Sequence, residues 1–193
     1  MNVKRVLSEV EFQLIALNST LVNRWRIDFS DWGNFKFHHG DIFSFGSADA
    51  IVSPANSFGY MDGGIDAIYI DKFGEQLQTD LINKIKREKY GELIVGDSLL
   101  VEIPRFEHQS DPKFKYLISA PTMRHPMDVS STKNAYLAFR AVLINIYEHN
   151  INYPHQKITK VICPGLAVGI GRMAEHRASR QMASAYYSIT NPT

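Results

Sequence analysis

The stretch Ala50-Ile51-Val52-Ser53-Pro54-Ala55-Asn56-Ser57-Phe58-Gly59-Tyr60-Met61-Asp62-Gly63-Gly64-Ile65-Asp66 decides how this chain is read. A short apolar strand ends in a loop of Pro, Asn and paired Gly. The paired Gly open onto a segment with helical character. Flexible backbone and free N–H groups at a helix N-terminus welcome an anion. The same junction delivers two polar side chains, Asn56 and Asp66, to the rim of one crevice. A nucleotide or phosphate-sugar site, with chemistry possible beside it, is the expectation.

Strand and helix patterns alternate on either side of this junction. Residues 12–17 read as a strand, Asn18 as an N-cap and residues 19–28 as a helix. Residues 34–39 alternate like a strand, and residues 48–53 form the apolar strand that feeds the junction. Residues 66–87 read as helix with a break at Gly74, and residues 98–103 and 115–119 as strands. Residues 132–148 form an amphipathic helix whose apolar face includes Tyr136, Phe139, Leu143 and Tyr147. Residues 160–163 are a buried strand and residues 172–189 the last helix. This order predicts an α/β fold, three layers deep, with a mostly parallel mixed sheet flanked by helices. One domain over residues 1–193 is expected, residues 1–8 being an extension ahead of the first strand, and the polar stretch 106–113 an exposed loop.

Bulk properties narrow the classes. The net charge of +1 makes no case for a general nucleic-acid or membrane surface. The apolar runs are too short to span a bilayer, and the first residues carry Lys4, Arg5 and Glu9 rather than a signal core. A single Cys163 excludes an internal disulfide and a multi-Cys zinc site, so a reducing cytoplasm is the expected location. The seven His show no metal-ligand spacing, and neither metal nor cofactor is expected. Cys163, at the end of a buried strand, reads as a packed thiol rather than a nucleophile.

Two further constellations join the first. Gly40-Asp41-Ile42 closes a strand, where a carboxylate could accept from a base's exocyclic amine; alone, Asp41 reads rather as a turn residue. Cys163-Pro164-Gly165-Leu166-Ala167-Val168-Gly169-Ile170-Gly171-Arg172 is a second Gly-rich loop between buried strand and helix. Its backbone N–H groups could converge on an oxyanion, so that two loops grip a diphosphate from both sides; two tight turns without a ligand are the alternative.

Taken in order and spacing, these segments resemble the macrodomain family of ADP-ribose-binding modules, from about residue 35 to residue 187. The resemblance rests on Gly40-Asp41-Ile42, on Asp49 through Asn56, on Gly63-Gly64-Ile65-Asp66 and on Pro164 through Gly171. It implies ADP-ribose in a cleft at the strand ends. Asp41 would then bind the adenine amine with Ile42 beside it, and Asn56 would meet the distal ribose. Gly63, Gly64 and Ile65 would line the first diphosphate loop; Ala167, Val168, Gly169, Ile170 and Gly171 would form the second. Asp66 matches the carboxylate that hydrolytic macrodomains use, and with Asn56 makes the candidate catalytic pair. Its alternative is an early helix residue complementing the macrodipole.

The implied activity is hydrolysis of an ADP-ribose derivative: an ADP-ribosylated protein or nucleobase, ADP-ribose 1″-phosphate or O-acetyl-ADP-ribose. A non-catalytic reader or sequestering protein for ADP-ribose or a cyclic relative is the alternative reading. The partner expected in either case is ADP-ribose or an ADP-ribosylated substrate. The chain departs from the common pattern at Ala167-Val168, where the family often has hydroxyls, and at Ile170, which runs directly into Gly171.

Overall fold

Among the described residues six strands and six helices follow one another: α1 (Val3–Ser8), β1 (Glu11–Ala16), α2 (Ser19–Asp28), β2 (Phe35–His39), β3 (Ala50–Ser53), α3 (Gly64–Phe73), α4 (Gln76–Glu88), β4 (Leu99–Glu102), β5 (Tyr116–Ser119), α5 (Asn134–Asn152), β6 (Lys160–Cys163) and α6 (Glu175–Thr190). They come from a computed structural model that describes residues 2–105 and 114–192. The expected loop at 106–113 lies outside the described residues.

The strands form one sheet in the order β2-β1-β6-β3-β5-β4. Every ladder is parallel except β4–β5, at the sheet edge. Parallel strands must be covered on both faces, and the side-chain alternation divides the core accordingly. Phe12, Leu14, Ala50, Val52, Ile118 and Val161 face one layer, made of α1, α2, α5 and α6. Ile15, Ile51, Leu117 and Ile162 face the other, made of α3 and α4. This is the three-layer α/β arrangement that the sequence predicts.

Local chemistry explains most element ends. Asn18 caps α2, its Oδ1 accepting from the amides of Thr20 and Leu21; such a cap is worth about 1 kcal/mol. Gly74, at φ +84°, ends α3 and lets the chain restart as α4. The last helix starts at Glu175, later than residue 172, because Arg172 sits at φ +55° and cannot continue a right-handed helix. On α5 Phe139 and Leu143 are buried as expected, but Tyr136 and Tyr147 lie at the rim, and Ala135, Ala138, Val142 and Ile146 fill the interior. Residues ahead of β1 form α1, capped by Asn2, and its Leu7 is fully buried in the first core layer.

The parallel topology brings the C-terminal ends of β2, β6, β3 and β5 to one end of the sheet. Asp49 fixes the opposite end: its Oδ2 accepts from Thr159 N, Thr159 Oγ1 and Lys160 N at 2.7, 2.8 and 3.0 Å, tying the start of β3 to the start of β6.

Candidate functional site

From the end of β3 the chain runs beside the extension of β5. Thr122 N donates to Ala55 O, Thr122 Oγ1 donates to Pro54 O, and Asn56 bridges to Met123. The loop that follows is closed by Asn56 itself. Its Nδ2 donates to Tyr60 O at 2.6 Å, and its Oδ1 accepts from Phe58 N and Tyr60 N at 3.0 and 3.3 Å. Gln78 of α4 holds the next residue, accepting from Met61 N at 2.6 Å. Asn56 therefore shapes the loop with both ends of its amide, a task that its sequence position alone did not disclose.

Gly63 caps α3 in an extended conformation and Gly64 follows at φ +58°. That value favours glycine, and the turn it makes brings Asp66 into the first helical turn. Asp66 is 7% exposed. Ser53, the last residue of β3, donates from Oγ to Asp66 Oδ1 at 2.6 Å, while Oδ2 accepts from none of the described residues. Burial pushes the Asp66 pKa up from 3.8 to about 7, the Ser53 hydrogen bond pulls it down, and the charge of Asp62 raises it. A carboxyl group near half-ionisation at neutral pH is suited to accept or return a proton. Ser119, opposite Ser53 across the β3–β5 ladder, is fully buried, and its Oγ lacks a partner among the described residues.

The second loop lies against the first. A Cβ built on Gly63 or Gly64 would come 3.8 or 4.0 Å from Ile170 Cδ1, so the half-exposed Ile170 spans the two loops. Met173 N donates to Ala167 O and Arg172 N to Gly169 O, which folds the loop back on itself. The amides of Val168, Gly169 and Ile170 have no acceptor among the described residues. Ala167 at φ +63° is buried, and Gly169 faces open space. Gly165 and Gly171 instead sit where a side chain would collide with neighbours, so of the three loop glycines only Gly169 keeps an open approach.

Asp41 is exposed at the end of β2, and its Oδ1 accepts from Phe43 N at 2.7 Å, as a turn residue does. Ile42 is buried in the core layer under α3 and α4. Phe43, next to it, meets Tyr69, Phe73 and Phe114 edge-on. The chemistry of the strand ends thus collects Asp66, the α3 N-terminus and the second loop, with Asp41 at the same end of the sheet.

Ser53 has no role in the sequence pattern. Its signal was present: a lone hydroxyl closing an otherwise aliphatic buried strand needs a partner. Beside Asn56, Phe58 stacks on His125 with centroids 4.8 Å apart, and Arg124 lies over the same ring while pairing with Glu92 at 2.7 Å. Nothing in the linear pattern joins Phe58 to residue 125. Cys163 is fully buried, with its thiol pushed far up by burial, as suits a packed side chain. Among the described residues no three His, Cys, Asp or Glu stand where they could hold a metal ion. No helix among them is long and apolar enough to cross a membrane.

A family model described as a macro-like domain matches residues 20–190. The chain belongs to the macro-like domain family. A relative of this macrodomain, an uncharacterized protein of Aquifex aeolicus, is 30% identical over 136 residues, 70% of each chain. The macrodomain of Mycobacterium tuberculosis DarG superposes with a TM-score of 0.59 at 25% identity, covering 77% of this chain and 87% of that one. A point variant of the Oceanobacillus iheyensis macrodomain with ADPR gives a TM-score of 0.61 at 14% identity, over 78% and 75% of the two chains. At that identity the likeness speaks for the macrodomain fold.

Proposed function

We propose that this macrodomain binds ADP-ribose across the strand ends and hydrolyses an ADP-ribose derivative with Asp66. Asp66 carries the reading. It is a buried carboxyl group, nearly half-ionised at neutral pH, with one oxygen held by Ser53 and the other unclaimed among the described residues. It stands in the first turn of α3, directly after Gly63-Gly64 and against the loop that holds Gly169 and Ile170. Amides without an acceptor among the described residues, at Gly63 and Gly64 and at Val168 through Ile170, suit the two phosphates, and Asp41 is the group for the adenine amine.

For a glycosidic substrate the chemistry balances simply. A water oxygen bonds to C1″ as the bond from C1″ to the leaving group breaks. The leaving group departs with the electron pair, and Asp66 takes the water proton. The candidate substrates are an ADP-ribosylated protein or nucleobase, ADP-ribose 1″-phosphate and O-acetyl-ADP-ribose. A second reading, a reader without turnover, draws support from Ala167-Val168, which offer no hydroxyl, while Asn56 shapes its own loop and keeps one Nδ2 N–H uncommitted among the described residues.

The test is calorimetric titration with ADP-ribose and with AMP, followed by incubation with the substrate panel and measurement of freed ADP-ribose. ADP-ribose should bind markedly tighter than AMP. Asp66→Ala should slow turnover by about 10²–10⁴-fold, the range for losing general acid–base help, with affinity changed far less. Tight binding without turnover by the wild type on the whole panel would favour the reader.

A further inference from the structure

We propose that Ser53 is a positioning residue for Asp66: its hydroxyl holds one carboxylate oxygen against the sheet, so that the other is the oxygen presented to water. The inference rests on the reading of Asp66 as the hydrolytic carboxylate.

Ser53 closes β3 and is fully buried on the face shared by Ile51 and Leu117. Its neighbours in the strand are aliphatic, and a third branched side chain would fill this position in a purely structural sheet. A buried hydroxyl costs free energy unless bonded, and the single Ser53 proton is spent on Asp66 Oδ1 at 2.6 Å. A rigid strand end thus fixes the orientation of a side chain that would otherwise rotate at the start of a helix. Donation to a carboxylate favours its ionised form, so Ser53 also opposes the effect of burial on Asp66.

The surroundings leave Ser53 as the counterweight. Asp62, ahead of α3, is the acidic neighbour and disfavours ionisation of Asp66. On α3, Tyr69 donates to Val52 O and is held neutral by burial. β5 contributes the uncharged Ser119 opposite Ser53, and the buried face of α4 is Leu77, Leu81 and Ile85. Among the described residues no cation acts on Asp66.

The experiment is a carbon-detected NMR titration of the Asp66 carboxyl in the full chain, wild type against Ser53→Ala and Ser53→Thr. Losing the donor should move the midpoint up by about one pH unit, a tenfold drop in ionised fraction at a fixed pH below it. Ser53→Thr, which keeps the hydroxyl, should stay near the wild type. Ser53→Cys keeps the volume with a weaker donor and serves if the Ala variant does not fold; its midpoint should also rise. The acid limb of the hydrolysis rate, on whichever panel substrate is turned over, should shift with the NMR midpoint. A midpoint unmoved in folded Ala and Cys variants overturns the proposal. A shifted midpoint in a protein that hydrolyses nothing keeps Ser53's hold on Asp66 and removes the hydrolase reading. An unmoved midpoint in an active enzyme that needs Asp66 does the reverse.

Discussion

A Cβ added at Gly63 or Gly64 would meet nothing closer than Ile170 Cδ1, at 3.8 and 4.0 Å, whereas one added at Gly165 or Gly171 would stand 2.6 Å from Leu21 Cδ2 or Ala167 O. At the start of α3 the paired glycines answer to backbone conformation and open space, Gly64 needing it for φ +58°, whereas Gly59, earlier in the first loop, is packed, an added Cβ standing 2.8 Å from Ile85 Cδ1. In the second, two of the three glycines answer to packing, one under α2 and one against the loop's own backbone. Glycine in a loop is therefore not one signal. Gly169, with open space around it, is the position in the second loop that matches the first. The loops differ in charge as well. The first leads into a buried carboxyl group that titrates near neutral pH, and the second carries none.

That last difference gives the largest expected effect. Asp66 has a folded pKa of about 7 against an ordinary 3.8. The fold binds this proton more tightly than the unfolded chain, so the associated stability is complete below pH 3.8 and lost as pH rises toward 7. About 3 units correspond to about 4 kcal/mol. Asp66→Asn should therefore gain on the wild type between pH 4 and pH 8 by an amount of that order, read from denaturant melts at both pH values. Parallel pH dependence of the two proteins would remove the contrast between the loops.

Packing comes next. Gly171→Ala forces a methyl group onto Ala167 O and onto Val129 Cγ2 at 2.7 Å. It should cost about 3 kcal/mol, as overpacking does, and lower Tm by about 6–12 °C. Gly169→Ala has room and should stay within about 0.5 kcal/mol. Equal losses at the two positions, in thermal melts, would mean that the second loop is uniform after all.

The ligand supplies the third test. Gly169→Glu adds bulk and a negative charge in the open part of the loop. If ADP-ribose lies there, its affinity should fall by about 100-fold, since like charges brought together cost several kcal/mol. Tm should change little. Calorimetric binding at wild-type strength by this folded variant would take the second loop away from the ligand.

The fold was legible because its signals are local. The short apolar runs within 50–53 and 160–163, rich in Val and Ile, suit buried strands, Asn18 can cap a helix without outside help, and Gly74 stops one by its own φ. The last helix starts later than its sequence pattern suggests because Arg172 belongs to a loop that folds back through Met173 onto Ala167 O. Asp66 and the glycine loops were also legible, since order and spacing are properties of the chain. What each residue does at the site was less so. Asn56 reads as a ribose contact by position, and the tertiary structure gives it a second task, holding Phe58 and Tyr60 of its own loop.

The sequence by itself determined the alternation of strand and helix, the position of two glycine-rich junctions and the presence of a carboxyl group just inside α3. These depend on residues within a turn or two of each other. Only the tertiary structure decided that Ser53 meets Asp66, that Ile170 spans the two loops, and that Gly165 and Gly171 are packing glycines. Ser53, Ile170 and Gly165 meet segments from other elements, Gly171 meets both its own loop and Val129, and the pairing of β3 with β5 and β6 sets which side chains share a face. Burial then does what no linear pattern reports: it withdraws Asp66 from water and moves its titration to the range where a proton can be exchanged at neutral pH.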